Sequence, residues 1–168
     1  MHTRRLTALL LGLWLGASLL MDWVASDSFS TVEASFKSAQ ERDPEMVRTI
    51  GTEPIKALLR YQTAELNRHH FYVWGYVQSV FAIVLLVVVL FATNGNKSAL
   101  ILSGTMALLT LGMQFGVMPA MLERDRALDF AASSDLERER AAFGGSHNTF
   151  IGMELMKLLS GCGLTAVL

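Results

Sequence analysis

The sequence predicts an all-α integral membrane protein, an antiparallel four-helix bundle whose helices extend beyond the bilayer on one side. Of its 168 residues, 52% are hydrophobic and only 17% are charged, against about 25% charged in an ordinary soluble domain. No charged residue lies between Arg68 and Lys97, or between Lys97 and Glu123, and each interval exceeds the roughly 20 residues that span a bilayer. This composition excludes a soluble globule, a disordered chain and a disulfide scaffold. A formal net charge of -1 offers no basic surface for nucleic acid.

Four apolar segments are predicted to cross the membrane within a single domain over residues 1–168. Backbone groups in lipid must be hydrogen-bonded within their own segment, so each is expected to be a helix. The first could instead be a cleaved signal peptide ending near Ala25, but its length and the interfacial Trp23 favour a retained helix. The predicted spans are residues 6–24, 71–93, 98–121 and 145–168.

The long connections, residues 26–70 and 122–144, fall on one side of such a bundle and are predicted to be helical. Thr52 can cap a helix that has Pro54 in its first turn. Apolar residues then recur at helical spacing with no breaker before Gly75. We therefore expect nearly continuous helix from about Glu53 to Thr93.

Local signals set the other boundaries. Residues 94–97, Asn-Gly-Asn-Lys, form a tight turn between segments two and three. Pro119 predicts a bend at the end of segment three. Ser134 and Glu137 form a capping box that starts the helix leading into segment four, and the Gly144-Gly145 pair predicts a kink in that helix.

Positive charge bears on orientation in two opposite ways. The long connections carry ten Lys and Arg residues, and a raw count would place them in the cytoplasm. The short side is denser in positive charge, however, with Arg4 and Arg5 directly before the first helix and Lys97 in the turn. We expect a multi-pass membrane protein with both termini in the cytoplasm.

Polar side chains within the spans form the first candidate site, because such groups are costly in lipid. Glu154 and Lys157 are three residues apart and can pair, and His147 lies seven residues before Glu154 on the same helix face. One hypothesis is a self-neutralised structural pair that orders the bundle. The other is an inward seam in which Glu154 accepts a proton or cation. The predicted polar seam comprises Asp22, Gln78, Gln114, His147, Asn148, Glu154 and Lys157.

The histidines form a second candidate site for haem or a divalent metal. His69 and His70 begin segment two and His147 begins segment four, so the imidazoles are expected at similar depth. Adjacent residues point about 100° apart on a helix, so at most one of His69 and His70 faces any single site. Interfacial histidines without a ligand are the alternative, and the sequence predicts no other cofactor.

Small residues predict close helix contacts. Gly12 and Gly16 form one G-x-x-x-G step, and Gly112 and Gly116 form another. Such steps let helices approach closely, either within the bundle or in a homodimer. The single cysteine, Cys162, is expected to be a small packing residue.

The polar run over residues 60–68 precedes segment two. It is expected to be a solvated juxtamembrane helix with a Glu65–Arg68 pair, or a surface that binds headgroups or a partner protein.

Three stretches carry a family resemblance: RRLTALLLGLWLGASLLMD, QFGVMPAMLERDRAL and AAFGGSHNTFIGMELMKLL. Their shared features are Trp14 with Gly16, Pro119 and Met121 followed by Arg124 and Arg126, and the start of segment four at Phe143 to His147. These stretches resemble the bacterial family called domain of unknown function 4149, which is similar to the eukaryotic transmembrane protein 205-like proteins. The resemblance implies a small integral membrane protein of four helices, with no established reaction, substrate or catalytic residue. The sequence departs from the family in the first connection, residues 26–70.

Three functions follow as hypotheses. The absence of a catalytic signature and the family resemblance favour a non-enzymatic accessory or scaffold component of a bacterial inner membrane. This component is expected to contact the lipid bilayer and to form a homodimer or a larger membrane complex. The second hypothesis is permeation of a proton, cation or small solute along Glu154 and Lys157, and the third is haem or metal binding by His147 with His69 or His70.

Overall fold

The computed structural model describes residues 2–92, 96–129 and 134–168, and every regular element in these ranges is helical. The elements are α1 (His2–Arg42), α2 (Pro44–Ile50), α3 (Thr52–Ala92), α4 (Lys97–Gly112), a π-helical turn (Met113–Val117), α5 (Met118–Asp129) and α6 (Leu136–Val167). Four helical stretches are long and apolar enough to cross a membrane, namely Arg4–Arg42, Thr52–Phe91, Lys97–Asp129 and Leu136–Val167. The predicted all-α class with four spans is confirmed.

Helix α1 continues well past the predicted span end at Val24 and reaches Arg42. Serine and threonine side chains in this stretch bond back to the preceding turn; Ser28 Oγ, for example, donates to the Val24 carbonyl at 2.7 Å, so they do not interrupt the helix. The helix ends where Asp43 precedes Pro44, because proline disfavours helical backbone in the residue before it. The Asp43 carboxylate then caps α2 by accepting from Met46 N at 2.9 Å.

Helix α3 confirms the prediction of nearly continuous helix from about Glu53. It spans 41 residues from Thr52 to Ala92, and Thr93 lies outside the described residues. Gly51 separates it from α2 with a φ of 94°, a backbone conformation that glycine adopts at little cost.

The third predicted span is divided by a π-helical turn directly before Pro119. Asn96 caps α4, its Oδ1 accepting from Ser98 N at 3.1 Å and Ala99 N at 3.4 Å, whereas Asn94 and Gly95 lie outside the described residues. The Met118 N–H bonds to the Met113 carbonyl five residues earlier. Because Pro119 has no N–H and crowds the carbonyl of the preceding turn, a wider turn at this place relieves the crowding.

The predicted capping box at Ser134 is wrong. Ser134 lies in a turn, the N-cap of α6 is Asp135, and no side-chain hydrogen bond caps the helix. The helix therefore begins one residue later than a Ser134 cap requires. Helix α6 then runs through Gly144 and Gly145 without interruption to Val167.

The chain divides into two compact units. The first comprises residues 1–17 and 72–168. Within it, a Cβ on Gly161 would lie 2.8 Å from Leu15 Cδ2 and 3.3 Å from Met106 Cε, so α6 approaches α1 and α4 closely there. Its core residues are Leu11, Trp14, Ala82, Leu85, Val89, Ala99, Met106, Ala107 and Leu164.

The second unit comprises Ser18–Phe71. Val32, Phe36 and Val47 are buried in it. Lys56 Nζ lies 3.0 Å from Glu33 Oε1 and 4.7 Å from the centre of the Phe36 ring. An ion pair and a cation–π contact thus connect the later part of α1 with the start of α3.

Candidate functional site

A buried polar cluster lies in the first unit, formed by Trp14, Gln78, Gln114, Glu154 and Lys157. Lys157 is 0% exposed and Glu154 is 8% exposed. Lys157 Nζ lies 2.5 Å from Glu154 Oε1 and donates a hydrogen bond to Gln78 Oε1. It also lies 5.6 Å from the centre of the Trp14 ring. One ammonium group therefore connects α6 with α1 and α3.

The position of the charged pair follows from the buried stripe of α6. Ser146, Phe150, Glu154, Lys157, Gly161 and Leu164 are its buried residues, and their spacing of three or four keeps them on one helix face. Glu154 and Lys157 occupy the middle of this stripe, one turn apart, between apolar or small neighbours. The folding that buries Phe150 and Leu164 therefore also buries the pair.

Gln78 connects the pair to α1. Its Oε1 accepts both from Lys157 and from Trp14 Nε1, the latter at 3.4 Å. Because one amide oxygen has two lone pairs, it can serve both donors. Gln78 thus orients the indole that borders Lys157.

The side chain of Gln114 packs against Gly75 of α3, where no side chain stands in its way. It lies in the π-helical turn, is 4% exposed, and its Oε1 would be only 1.7 Å from a Cβ on Gly75. No larger residue fits at Gly75 unless Gln114 moves. A π-turn of this kind is frequent at functional sites, and here it contains the buried amide.

Two acceptor atoms of the cluster remain without a hydrogen-bond donor among the described residues, Gln114 Oε1 and Glu154 Oε2. A cavity of about 10 Å³ lies beside Gln114 and Gln78, and its remaining lining residues are Gly75, Thr110, Met113, Met118 and Phe150. A cavity of this size is about that of one water molecule. The cluster thus combines a compensated charge with buried, unsatisfied oxygen atoms.

The structure brings together only part of the predicted seam. Gln78, Gln114, Glu154 and Lys157 are buried in the first unit. His147 and Asn148 are exposed, because the buried stripe of α6 passes through Ser146 rather than His147. The His147 ring instead stacks on Phe143 with 5.3 Å between ring centroids. Asp22 belongs to the second unit and is exposed.

The predicted haem or metal ligands are not assembled into a larger cluster. Within residues 2–92, 96–129 and 134–168, no group of three or more His, Cys, Asp or Glu could hold a metal ion. The ring centroids of His69 and His70 are 6.5 Å apart, in the second unit, and His147 belongs to the first. Ligation by His147 with His69 or His70 stays a prediction.

The expectation of a packed cysteine is wrong, since Cys162 is exposed. It lies on α6 directly after the buried Gly161, so its side chain points away from the core face. Cys162 is a surface residue of its helix.

The glycines of the two predicted G-x-x-x-G steps have few close neighbours in the described chain. A Cβ on Gly12, Gly16 or Gly116 would meet no heavy atom of the described chain within 4 Å, and one on Gly112 would reach only Met153 Cε at 3.3 Å. The close approaches occur at Gly75 and Gly161. The Gly12–Gly16 step is therefore open, and its role in a homodimer stays a prediction.

The juxtamembrane run is only partly solvated, contrary to its interpretation as a surface helix. The predicted pair exists, with Arg68 Nη1 3.0 Å from Glu65 Oε1. However, Arg68 is 3% exposed and Asn67 is 7% exposed. The Asn67 amide donates to the Ala25 carbonyl at 3.4 Å, so this face of α3 packs within the second unit.

One member of the polar cluster, Trp14, and one residue beside it, Gly75, are not predicted as site residues by the sequence. Trp14 is an aromatic residue within an apolar run, and the residues around it give no indication of its contact with Lys157. At Gly75 the sequence indicates only a possible helix breaker. A glycine at position 75 in an otherwise bulky span is the one signal in the sequence for the close approach of another helix, which Gln114 makes.

The comparisons with known proteins agree with the family resemblance. The family model described as "Domain of unknown function (DUF4149)" matches residues 48–128, which confirms the resemblance over that range. The match includes residues 48–70, so the expected departure throughout the first connection is wrong for this part. No curated protein and no solved structure matches the chain.

Proposed function

We propose that the protein is a non-enzymatic accessory or scaffold component of a bacterial inner membrane, which associates with other membrane proteins or a second copy of itself. The supporting observation is the compensation of Lys157. Its ammonium group is paired with Glu154, bonded to Gln78 and 0% exposed. A group enclosed in this way orders helices and is inaccessible to a substrate.

The exposed side of α1 offers a place for the partner. In its most apolar window only 17% of α1 is buried, against 28–33% for the other three spans. Gly12 and Gly16 lie on this helix with open space beside them. A G-x-x-x-G step lets two helix backbones approach closely, and we propose that a partner helix packs there.

The test is to replace Gly12 and Gly16 together by isoleucine and to isolate the protein from membranes in mild detergent. Cross-linking and particle size should show that the associated species is lost while the helical content is unchanged. Gly152→Ile is the matched control, because Gly152 also lies in open space but on α6. Association that survives the double substitution, or is lost equally in the control, would contradict the proposed interface. Reproducible turnover by the isolated protein would overturn the non-enzymatic assignment.

A second candidate function is permeation of a proton or cation through the polar cluster. The observation that favours it is the presence of two buried, unsatisfied oxygens, Glu154 Oε2 and Gln114 Oε1, with a water-sized cavity beside Gln114. The carboxylate oxygen of Glu154 can accept a proton, and the amide oxygen of Gln114 can accept a hydrogen bond from the water of a hydrated cation. The carboxylate of Glu154 would be the acceptor.

This candidate is tested by proton flux into liposomes that contain the purified protein and a pH-sensitive dye. Glu154→Gln should abolish the flux because it removes the ionisable oxygen. Glu137→Gln, an exposed residue of the same helix outside the apolar segment, should leave it unchanged. Equal flux in the parent protein and Glu154→Gln would remove Glu154 from any permeation mechanism.

A further inference from the structure

A groove lies between α5 and α6, beside the π-helical turn. It has a volume of about 250 Å³ and is lined by Val117, Ala120, Arg124, Gly145, Ser146 and Thr149. Roughly 10–15 Å³ of volume measured in this way holds one water molecule, so the groove has room for part of a larger molecule. Arg124 is the single charged residue among the six lining residues.

The guanidinium of Arg124 is held in place from one side. Its Nη1 donates to the Ala142 carbonyl at 3.1 Å and to Ser146 Oγ, which uses both hydrogens of that nitrogen. Nε and Nη2 carry three further hydrogens, and these have no acceptor among the described residues. The free edge of the guanidinium therefore presents parallel N–H donors, the arrangement that binds a phosphate through two hydrogen bonds.

The groove lies where the apolar segment meets charged sequence. Residues 98–122 carry no charge, and Arg124 is the second residue after them. Val117 and Ala120 belong to the apolar side of this boundary, as do the small residues Gly145 and Thr149 of α6. A cation thus sits at the end of a wall of small and apolar side chains.

The positions next to Arg124 on its own helix face carry no carboxylate that would repel an anion. Glu123 and Asp125 are its chain neighbours and point about 100° to either side. The residues one turn away carry no charge: they are Ala120, Met121, Ala127 and Leu128. An anion at the free edge of Arg124 therefore meets no carboxylate from these positions.

We propose that this groove binds an anionic phospholipid. Its phosphate would accept from Nε and Nη2 of Arg124, and one acyl chain would lie between Val117 and Ala120 on one wall and Gly145 and Thr149 on the other. Cationic pockets between membrane helices bind anionic headgroups by this combination of charge and depth. The prior anchoring of Arg124 by α6 lowers the entropy lost on binding.

The test is native mass spectrometry of the detergent-solubilised protein, titrated with phosphatidylglycerol and, separately, with phosphatidylcholine carrying the same acyl chains. We expect tighter binding of phosphatidylglycerol. Arg124→Gln should weaken it by roughly tenfold or more, since hydrogen bonds to a charged group are lost. Arg140→Gln is the charge-matched control, because Arg140 is exposed on α6 and does not line the groove.

Gly145→Leu tests the groove independently of the arginine. A Cβ at Gly145 would meet no heavy atom of the described chain within 4 Å, and Gly145 lines the groove, so a leucine at this position is expected to occupy part of the groove. Binding should fall here also, while Gly144→Leu, beside the groove, should leave it unchanged.

Three results would overturn the proposal: equal affinity for the two lipids, parental affinity in both Arg124→Gln and Gly145→Leu, or displacement of the lipid by millimolar inorganic phosphate alone. The last would show a simple anion site without a contribution from the acyl chain. Loss of binding in Arg124→Gln and Gly145→Leu, with both controls intact, would establish the site.

Discussion

Removing Lys157 while keeping its shape is expected to destabilise the protein strongly. Lys157→Met retains an unbranched chain of similar length, but leaves the Glu154 carboxylate, 8% exposed, without its cation. Removing both charges in Lys157→Met with Glu154→Gln should restore most of the lost stability. Removing one partner is thus predicted to destabilise the protein strongly, whereas replacing both partners is predicted to change its stability little.

The magnitude follows from the geometry of the pair. At 2.5 Å between Lys157 Nζ and Glu154 Oε1, Coulomb's law with an effective dielectric constant of about 20 gives an attraction of about 7 kcal/mol. Desolvation of two ions costs several kcal/mol each, so the intact pair contributes a net free energy near zero. Breaking one partner instead costs about 3–5 kcal/mol. The double-mutant cycle should therefore give a coupling free energy of about 3 kcal/mol, at the upper end for contacting residues.

The assay is reversible unfolding in mixed micelles, followed by loss of helical circular dichroism as the fraction of denaturing detergent rises. Lys56→Met provides the control. Lys56 pairs with Glu33 at 3.0 Å, but Glu33 is 69% exposed, so its loss should cost less than about 1 kcal/mol. If Lys157→Met were no more destabilising than Lys56→Met, or if the double substitution were worse than either single one, the assignment of Lys157 as an enclosed, compensated charge would be refuted.

Other substitutions test separate features. Gly75→Ala should lower the unfolding free energy by about 1–3 kcal/mol, because its methyl group overlaps Gln114 Oε1, whereas Gly152→Ala in open space should stabilise by up to about 1 kcal/mol; equal thermal melts would contradict this. Asn96→Ala should cost about 0.5–2 kcal/mol in the same melts, since it removes the cap of α4, and an unchanged melt would argue against the cap. If the histidine hypothesis holds, the purified protein shows a Soret band or bound metal that His147→Ala removes, and a colourless, metal-free preparation from haem-replete cells would end it.

The helical architecture was predictable because its signals are local. Uncharged intervals longer than a bilayer crossing identify spans wherever they occur, and the spacing of apolar residues after Pro54 extends helix α3 back to Thr52. The Glu154–Lys157 contact was predictable for the same reason, because residues three apart on a helix are always neighbours. These inferences require no knowledge of which helices meet.

The rest of the site depends on which helix faces meet, and no local pattern contains that information. His147 shares a nominal face with Glu154, yet it is exposed. Glu154 lies at one edge of the buried stripe of α6, and the drift of about 20° over seven residues places His147 beyond that edge. The contact between Gly75 and Gln114 joins residues distant in sequence, and the π-helical turn that contains Gln114 has no signal beyond the proline that follows it. The capping-box prediction at Ser134 is wrong for a similar reason: the pattern fixes the helix start only to within a residue, and α6 begins after Asp135 without a side-chain cap.

Two basic residues of the first unit show opposite uses of charge. Lys157 is surrounded by partners from its own chain, so its charge contributes order to the helices and is hidden from any ligand. Arg124 is exposed and is held by α6 through one nitrogen only, which fixes the guanidinium while leaving its other edge available. Because a cation is costly near the apolar layer unless an anion compensates it, the edge that the chain leaves uncompensated is the place where an external anion gains most. The same electrostatic requirement therefore explains the structural pair inside the first unit and supports the lipid phosphate that we propose at Arg124.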